Sequence, residues 1–137
     1  MTATITITNP ILRGMNPDPS WIWDDEFQRI VLVTSTFELV PGLPIYVSED
    51  MTCWKHVSNV VDADLARRLL IPFVDDSGGV YAPTLRRIHG KYVIACTIAR
   101  LDDRRAMEGG CTESELMRFH AAEGNFILEA ESIEGPW

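Results

Sequence analysis

Basic residues are scarce in this 137-residue chain, since 12 lysines and arginines stand against 20 aspartates and glutamates and give a formal net charge of −8. A surface of that sign repels phosphate backbones and anionic lipids, so nucleic acid and membranes are not expected partners. The three cysteines, Cys53, Cys96 and Cys111, are odd in number and lack C-x-x-C spacing. That argues against a disulfide framework, and we predict no metal ligand in the chain.

Long apolar runs are also missing, and the N-terminus alternates apolar and hydroxyl residues without a basic start. The sequence as written therefore predicts no signal peptide and no membrane span, which points to the cytoplasm and leaves the location of the whole protein open. Apolar residues make up 46% of the chain, with four Trp, five Phe and three Tyr. That content and length suit one globular domain with a packed core.

Long helical periods are rare as well. Short alternating or apolar runs, broken by Gly, Pro and Asp, predict an all-β fold of many small antiparallel strands. The predicted strands are Ala3 to Thr8, Ser20 to Trp23, Phe27 to Thr34, Pro44 to Ser48, Trp54 to Val60, Pro83 to Ile88, Tyr92 to Ala99 and Asn125 to Glu131. His89-Gly90-Lys91 predicts a tight hairpin between two of them.

Two segments have helical spacing, Asp62 to Leu70 and Glu113 to His120. The charged, glycine-containing tract from Asp102 to Thr112 has no apolar period, and it predicts a solvated loop. Adjacent acids at turns, such as Asp24 and Asp25, predict solvated surface groups without a catalytic role.

A weak internal echo links Ser48 to Trp54 with Ser132 to Trp137, because each is a polar turn that leads from a predicted strand to a Trp. Recurrence of this kind predicts repeated sheets.

The segment Pro17-Asp18-Pro19-Ser20 fixes one carboxylate between two prolines ahead of an apolar strand. Proline restricts its own φ and favours an extended conformation in the residue before it, so Asp18 is predicted to lie on a stiff, extended segment. A carboxylate aimed in this way suits a catalytic base. The alternative is an ordinary turn, because Asp, Pro and Ser are common turn residues.

Taken together, the segments resemble the N-terminal part of glycoside hydrolase family 43, the β-xylosidase and α-L-arabinofuranosidase group, which folds as a five-bladed β-propeller. The similarity covers nearly the whole chain, so residues 1–137 are predicted to be the N-terminal part of one catalytic domain. The similar segments are Asn9 to Leu12, Pro17 to Ser20, Val33 to Glu38, Pro41 to Ile45, Ser48 to Trp54, Gly79 to Leu85, His89 to Tyr92, and Asn125 to Leu128 leading to Gly135-Pro136-Trp137.

The resemblance implies an inverting hydrolase of sugars derived from xylan or arabinan, with Asp18 as the general base that activates water. Inverting glycosidases place two carboxyl groups about 6.5–9.5 Å apart so that water fits beside the base. Phe37 and Ala82 match positions that line the sugar subsite. Tyr81, also assigned to substrate binding, stands where the family commonly has Trp. It keeps a flat face and adds a hydroxyl, which either shifts the sugar preference or has no effect. No cofactor is implied, although a calcium ion fills the channel in some relatives.

The family also needs a general acid and a third carboxylate, and both are expected beyond Trp137. With about 40–45 residues per blade, 137 residues make an incomplete propeller of about two to three blades. An open ring exposes strand edges, which predicts self-association or pairing with a missing remainder.

Two other functions remain open from the sequence. One is a non-catalytic protein that binds sugar weakly or assembles through its exposed edges. The other is a retaining fructan or sucrose hydrolase, in which the early Asp is the nucleophile; Pro17-Asp18-Pro19-Ser20 fits family 43 better.

Overall fold

The fold is built from two antiparallel sheets, seen in a computed structural model that describes residues 4–137. The first sheet has the strand order β1-β2-β3-β4 and the second β5-β6-β7. The strands are β1 Ser20–Asp24, β2 Arg29–Val33, β3 Gly42–Ser48, β4 Lys55–Val61, β5 Val74–Ile88, β6 Lys91–Leu101 and β7 Asn125–Ala130. The helices are α1 Ala63–Arg68, α2 Asp103–Glu108 and α3 Glu113–Ala121, with a 3₁₀ turn at Ile71–Phe73.

Seven of the eight predicted strands are confirmed, and their boundaries differ by local backbone geometry. β2 begins at Arg29 rather than Phe27, since Gln28 has a φ of 50° and belongs to the preceding turn. β5 begins at Val74, well before the predicted Pro83. The prediction missed its first half because that half is polar and irregular, with a shift of register between Val74 and Gly79. A bulged polar strand does not show the alternation on which the prediction relied.

The eighth predicted strand, Ala3 to Thr8, is wrong over residues 4–8, which have no strand partner in the structure. Ala3 lies outside the described residues. Alternation alone does not make a strand when the segment pairs with no neighbour.

The predicted hairpin is confirmed, with Ile88 paired to Lys91 across His89 and Gly90. Both turn residues have positive φ, 50° and 83°, as a type I′ turn requires.

The two predicted helices are confirmed, and side chains cap both of them. The Asp62 carboxylate accepts from the backbone N–H of Leu65 at 2.8 Å at the start of α1. Thr112 and Glu115 form a reciprocal capping box at the start of α3. α3 is nine residues long, and no helix in the described part of the chain has the length and apolarity to cross a bilayer.

The predicted loop from Asp102 to Thr112 is wrong, because it contains α2. Asp102 caps this helix by accepting from the N–H of Arg105 at 3.0 Å, and Ala106 is its buried residue. A six-residue helix that buries one side chain has no apolar period to detect. Gly109 then allows close packing, since a Cβ there would lie 2.2 Å from the Phe73 ring.

The core lies between the facing sides of the two sheets. Val31, Val33 and Ile45 of the first sheet and Leu85 and Ile94 of the second are fully buried in it. Val31 and Val33 point to the same side of β2, as residues two apart do, while Ile30 and Leu32 on its other side are buried as well.

The opposite side of β1 is open. Trp21 and Trp23 alternate with the core residue Ile22, and they are 57% and 45% exposed. Large exposed apolar patches are uncommon on monomeric soluble proteins, and two neighbouring tryptophans exposed to this degree form such a patch.

The predicted echo also has a structural counterpart. Ser48 ends the third strand of the first sheet, and its hydroxyl accepts from the N–H of Met51 at 2.9 Å. Ser132 follows the third strand of the second sheet, and its hydroxyl accepts from the N–H of Glu134 at 3.3 Å. The two sheets therefore repeat one pattern of three strands and a serine-capped turn.

Candidate active site

Asp18 lies in the segment that leads into β1. Its φ is 50°, so the prediction of an extended backbone at this position is wrong. Aspartate tolerates the left-handed region better than most residues because its short side chain forms local hydrogen bonds. The residue is exposed, and its carboxylate oxygen Oδ2 accepts a hydrogen bond from the Ser35 hydroxyl at 2.7 Å.

Ser35 connects Asp18 to the second sheet. Its hydroxyl oxygen also accepts from the backbone N–H of Ala82 at 2.8 Å, and its own N–H donates to the carbonyl oxygen of Pro17 at 2.9 Å. Ala82 lies on β5, in a bulge where its φ is 45°. Asp18 and Ala82, predicted for one site from sequence, are therefore held together by one side chain.

Phe37 and Tyr81 form an aromatic wall, with ring centroids 4.7 Å apart and ring planes tilted by 50°. The Tyr81 hydroxyl donates to the carbonyl oxygen of Ser77, which fixes the ring. Phe37 and Val80 exchange backbone hydrogen bonds of 3.2 and 2.9 Å, so the wall joins the β2–β3 connection to β5.

Gly79 makes this close approach possible. A Cβ at that position would lie 2.2 Å from the carbonyl oxygen of Phe37, and the residue has a φ of 100°. Any side chain there would push Phe37 away from β5.

Cys96 lies beneath the site and was not predicted as part of it. Its Sγ is 2.9 Å from the carbonyl oxygen of Tyr81. Burial raises the pKa of the Cys96 thiol to about 12, and the negative charge of Asp18 acts in the same direction. The thiol is therefore protonated at neutral pH and adds no charge beside the carboxylate.

All four predicted site residues thus meet through two linked pairs, Asp18 with Ala82 and Phe37 with Tyr81. Three of the four, Asp18, Phe37 and Ala82, have left-handed backbone with φ between 45° and 55°. Non-glycine residues adopt this conformation at an energetic cost. Eight other non-glycine residues among those described also have positive φ, so the conformation does not by itself mark the site. Sequence analysis missed Ser35 because it is the middle one of three successive hydroxyl residues, Thr34 to Thr36, and nothing in that run distinguishes it from its neighbours.

A metal-binding arrangement is not evident here. Within residues 4–137, no three His, Cys, Asp or Glu side chains come together in a way that could hold an ion. No chemical step below uses a metal ion.

The carboxylate at the other end of β1 differs from its prediction. Asp24 is fully buried, not solvated. It accepts hydrogen bonds from the Arg87 guanidinium and the Tyr92 hydroxyl, and Arg29 Nε lies 3.7 Å away. A residue at a turn is exposed only when no neighbouring element covers it. Asp24 is covered by Arg87 of β5 and Tyr92 of β6.

Comparison with known proteins finds similar sequences and structures along nearly the whole chain. The family model described as glycosyl hydrolases family 43 matches residues 7–137. A non-reducing end α-L-arabinofuranosidase from Bacteroides ovatus is 36% identical over 134 residues, which is 96% of this chain and 21% of the relative. A xylan 1,3-β-xylosidase from a Vibrio species is 34% identical over 136 residues, 98% of this chain and 22% of the relative.

Solved structures agree with the sequence matches. The crystal structure of a xylan β-1,4-xylosidase from Bacillus halodurans C-125 superposes with a TM-score of 0.70 at 29% identity, and the match covers 96% of this chain and 22% of that one. The chain therefore spans about a fifth of the length of these relatives. By the extent of the family match and by its structural likeness, the chain belongs to glycosyl hydrolases family 43.

Proposed function

We propose that these residues form the N-terminal part of the catalytic domain of an inverting glycosidase that acts on sugars derived from xylan or arabinan, with Asp18 as its general base. The observation that carries the proposal is the exposed Asp18 carboxylate, held by Ser35 beside Ala82 and near an aromatic wall. The named activities of the relatives, on xylosides and arabinofuranosides, support the substrate class.

In this mechanism the Asp18 carboxylate takes a proton from a water molecule, whose oxygen attacks the anomeric carbon from the side opposite the leaving group. A general acid protonates the leaving oxygen, and it lies in the remainder of the gene product together with a third carboxylate. Within residues 4–137 the hydroxyl of Ser35 is the one protein donor to Asp18, and it reaches Oδ2. Oδ1 is left to contact the water.

The aromatic wall supplies the sugar subsite. The flat rings of Phe37 and Tyr81 suit the apolar face of a pyranose or furanose, and Ala82 leaves room for it. Because the Tyr81 hydroxyl is engaged by the Ser77 carbonyl, the ring offers its face rather than a free hydroxyl to the substrate.

The complete domain in this proposal is a five-bladed β-propeller, of which the two sheets are the first two blades. The exposed Trp21 and Trp23 then face a further blade, which removes them from water.

The proposal is tested with the complete gene product that carries these residues, assayed on aryl β-xylosides and aryl α-L-arabinofuranosides. Asp18→Asn keeps the size and the backbone preference but removes the base, so kcat is expected to fall by about 10²–10⁴. Asp25→Asn, an exposed acid seven residues along the chain, is the matched control and should act at the unmutated rate.

The stereochemistry gives a second test. Proton NMR of the first sugar released should show the anomer of inverted configuration. Prompt retention would replace the mechanism with that of a retaining fructan or sucrose hydrolase, an alternative the comparisons do not favour. An Asp18→Asn variant with full activity would refute the base assignment.

One observation supports a narrower alternative for the 137-residue polypeptide by itself, namely self-association through the side of β1 that carries Trp21 and Trp23. Sedimentation of that polypeptide as a dimer or larger species would support it, and a compact monomer would count against it.

A further inference from the structure

Ser35 makes three hydrogen bonds at one junction of the fold, through its N–H and its hydroxyl. The residue is fully buried, its N–H is bonded to Pro17, and its hydroxyl lies between Asp18 and Ala82. The Ala82 amide can only donate, so the serine oxygen accepts there. An ionised carboxylate can only accept, so the serine hydrogen points to Asp18 Oδ2.

We infer that Ser35 is a positioning residue for the base: its hydroxyl holds one oxygen of Asp18 and leaves the other for the attacking water. The inference rests on the proposed function, because it presupposes that Asp18 is the base. The same hydroxyl is anchored to Ala82 on β5, so it also fixes the carboxylate relative to the wall that faces the sugar.

A purely structural role for Ser35 is the competing explanation, since a buried amide such as that of Ala82 needs an acceptor. The carboxylate does not need the serine in this sense, because Asp18 is exposed and water can solvate it. What water cannot provide is a fixed direction for the carboxylate, and a fixed direction matters for kcat more than for folding.

The chain offers a matched control in the preceding residue. The hydroxyl of Thr34 is buried as well, but it has no hydrogen-bond partner in the described structure. Ser35→Ala and Thr34→Val each remove one buried hydroxyl, one position apart, and only the first removes a contact with Asp18.

The experiment compares these variants in the complete gene product on aryl glycosides. Ser35→Ala is expected to lower kcat by about 10-fold to 100-fold, as for the loss of one hydrogen bond to a charged group. Because the lost hydrogen bond orients the base and does not hold the substrate, KM should stay within about twofold of its unmutated value while kcat falls. Thr34→Val should stay within about twofold of the unmutated kcat and KM.

If the Ala82 amide, left without its acceptor, displaced β5 and the aromatic wall, KM would rise as well, so kcat and KM measured per mole of folded protein separate the two explanations. If Ser35→Ala cannot be purified in a folded state, Ser35→Cys carries the same test, since a thiol is a weak donor of nearly the same size. A kcat that matches that of Thr34→Val, or a loss confined to KM, in whichever variant folds, would overturn the inference.

Asp18→Asn separates this inference from the proposed function. Full activity of that variant would refute both the assignment of Asp18 as the base and the positioning role of Ser35. An inactive Asp18→Asn together with a fully active Ser35→Ala would refute only the positioning role.

Discussion

Two aspartates bracket the first strand, and they show how differently one fold treats the same side chain. Asp18 precedes β1, is exposed and accepts one hydrogen bond from the protein. Asp24 ends β1, is fully buried and is held by Arg87 and Tyr92 from two other strands. A carboxylate whose oxygens are both engaged serves stability, whereas one with a free oxygen remains available for chemistry.

The contrast predicts that the two residues fail in opposite ways. Loss of Asp18 should affect turnover and leave folding intact. Loss of Asp24 should affect folding, and any folded fraction should retain its kcat.

The largest effect on stability is expected for Asp24→Asn. This change removes the buried carboxylate that Arg87 contacts and leaves its guanidinium paired with the exposed Glu26, and breaking a buried ion pair from one side costs up to about 3–5 kcal/mol. Chemical denaturation of the complete gene product should show the loss in the transition that contains these sheets.

Asp18→Asn and Asp25→Asn are the matched controls for that measurement, and each should change stability by less than about 0.5 kcal/mol. Equal destabilisation by Asp24→Asn and Asp25→Asn would contradict a special role for the buried pair.

An intermediate effect is expected for Tyr92→Phe. The substitution removes one donor to Asp24 and keeps the ring packed under the Arg87 guanidinium, 5.1 Å from its centroid. A hydrogen bond to a charged group contributes about 1.5–3 kcal/mol, so the unfolding free energy should fall by that amount. Tyr46→Phe is the control, since no hydrogen bond of the Tyr46 hydroxyl occurs among residues 4–137.

The same contact gives this prediction a pH signature. Burial, followed by the hydrogen bond to Asp24, raises the pKa of Tyr92 above its usual value of 10.0. A group whose folded pKa is raised stabilises the protein below the unfolded pKa and loses that contribution as pH rises through the folded value. Unmutated protein should therefore lose stability above about pH 10, and Tyr92→Phe should lose less over the same range.

The smallest expected effect is a difference in the reactivity of the three cysteine thiols, of which Cys96 lies beneath Asp18. Cys53 is exposed, whereas burial raises the pKa of Cys96 to about 12 and raises that of Cys111. Iodoacetamide at pH 8 should label Cys53 and leave the other two unmodified, because the thiolate is the reactive form. Peptide mapping by mass spectrometry checks this, and rapid labelling of Cys96 in folded protein would show that the region beneath Asp18 opens to solvent.

The sequence predicts some parts of the structure better than others. Strands with clean alternation, such as Ser20 to Trp23, were found because period-two burial appears directly in the residue pattern. The site residues Asp18, Phe37, Tyr81 and Ala82 were named from a family resemblance, and the structure brings them together. Their roles remain proposals.

The remainder depends on contacts that no local pattern encodes. The burial of Asp24 depends on Arg87, which is 63 residues away along the chain. The link from Ser35 to Ala82 spans 47 residues. α2 was missed because its stability comes from capping by Asp102 and one buried alanine rather than from an amphipathic face.

The left-handed backbone at Asp18 has a consequence for how this position changes over evolutionary time. Asparagine and glycine adopt that conformation readily, whereas glutamate does not, and its longer side chain would also displace the carboxylate. The charge-conserving replacement is therefore the disruptive one, and the replacement that abolishes the base fits without strain. A lineage that lost the chemistry here would keep its fold unchanged, and a single amide in place of the acid would be its only trace.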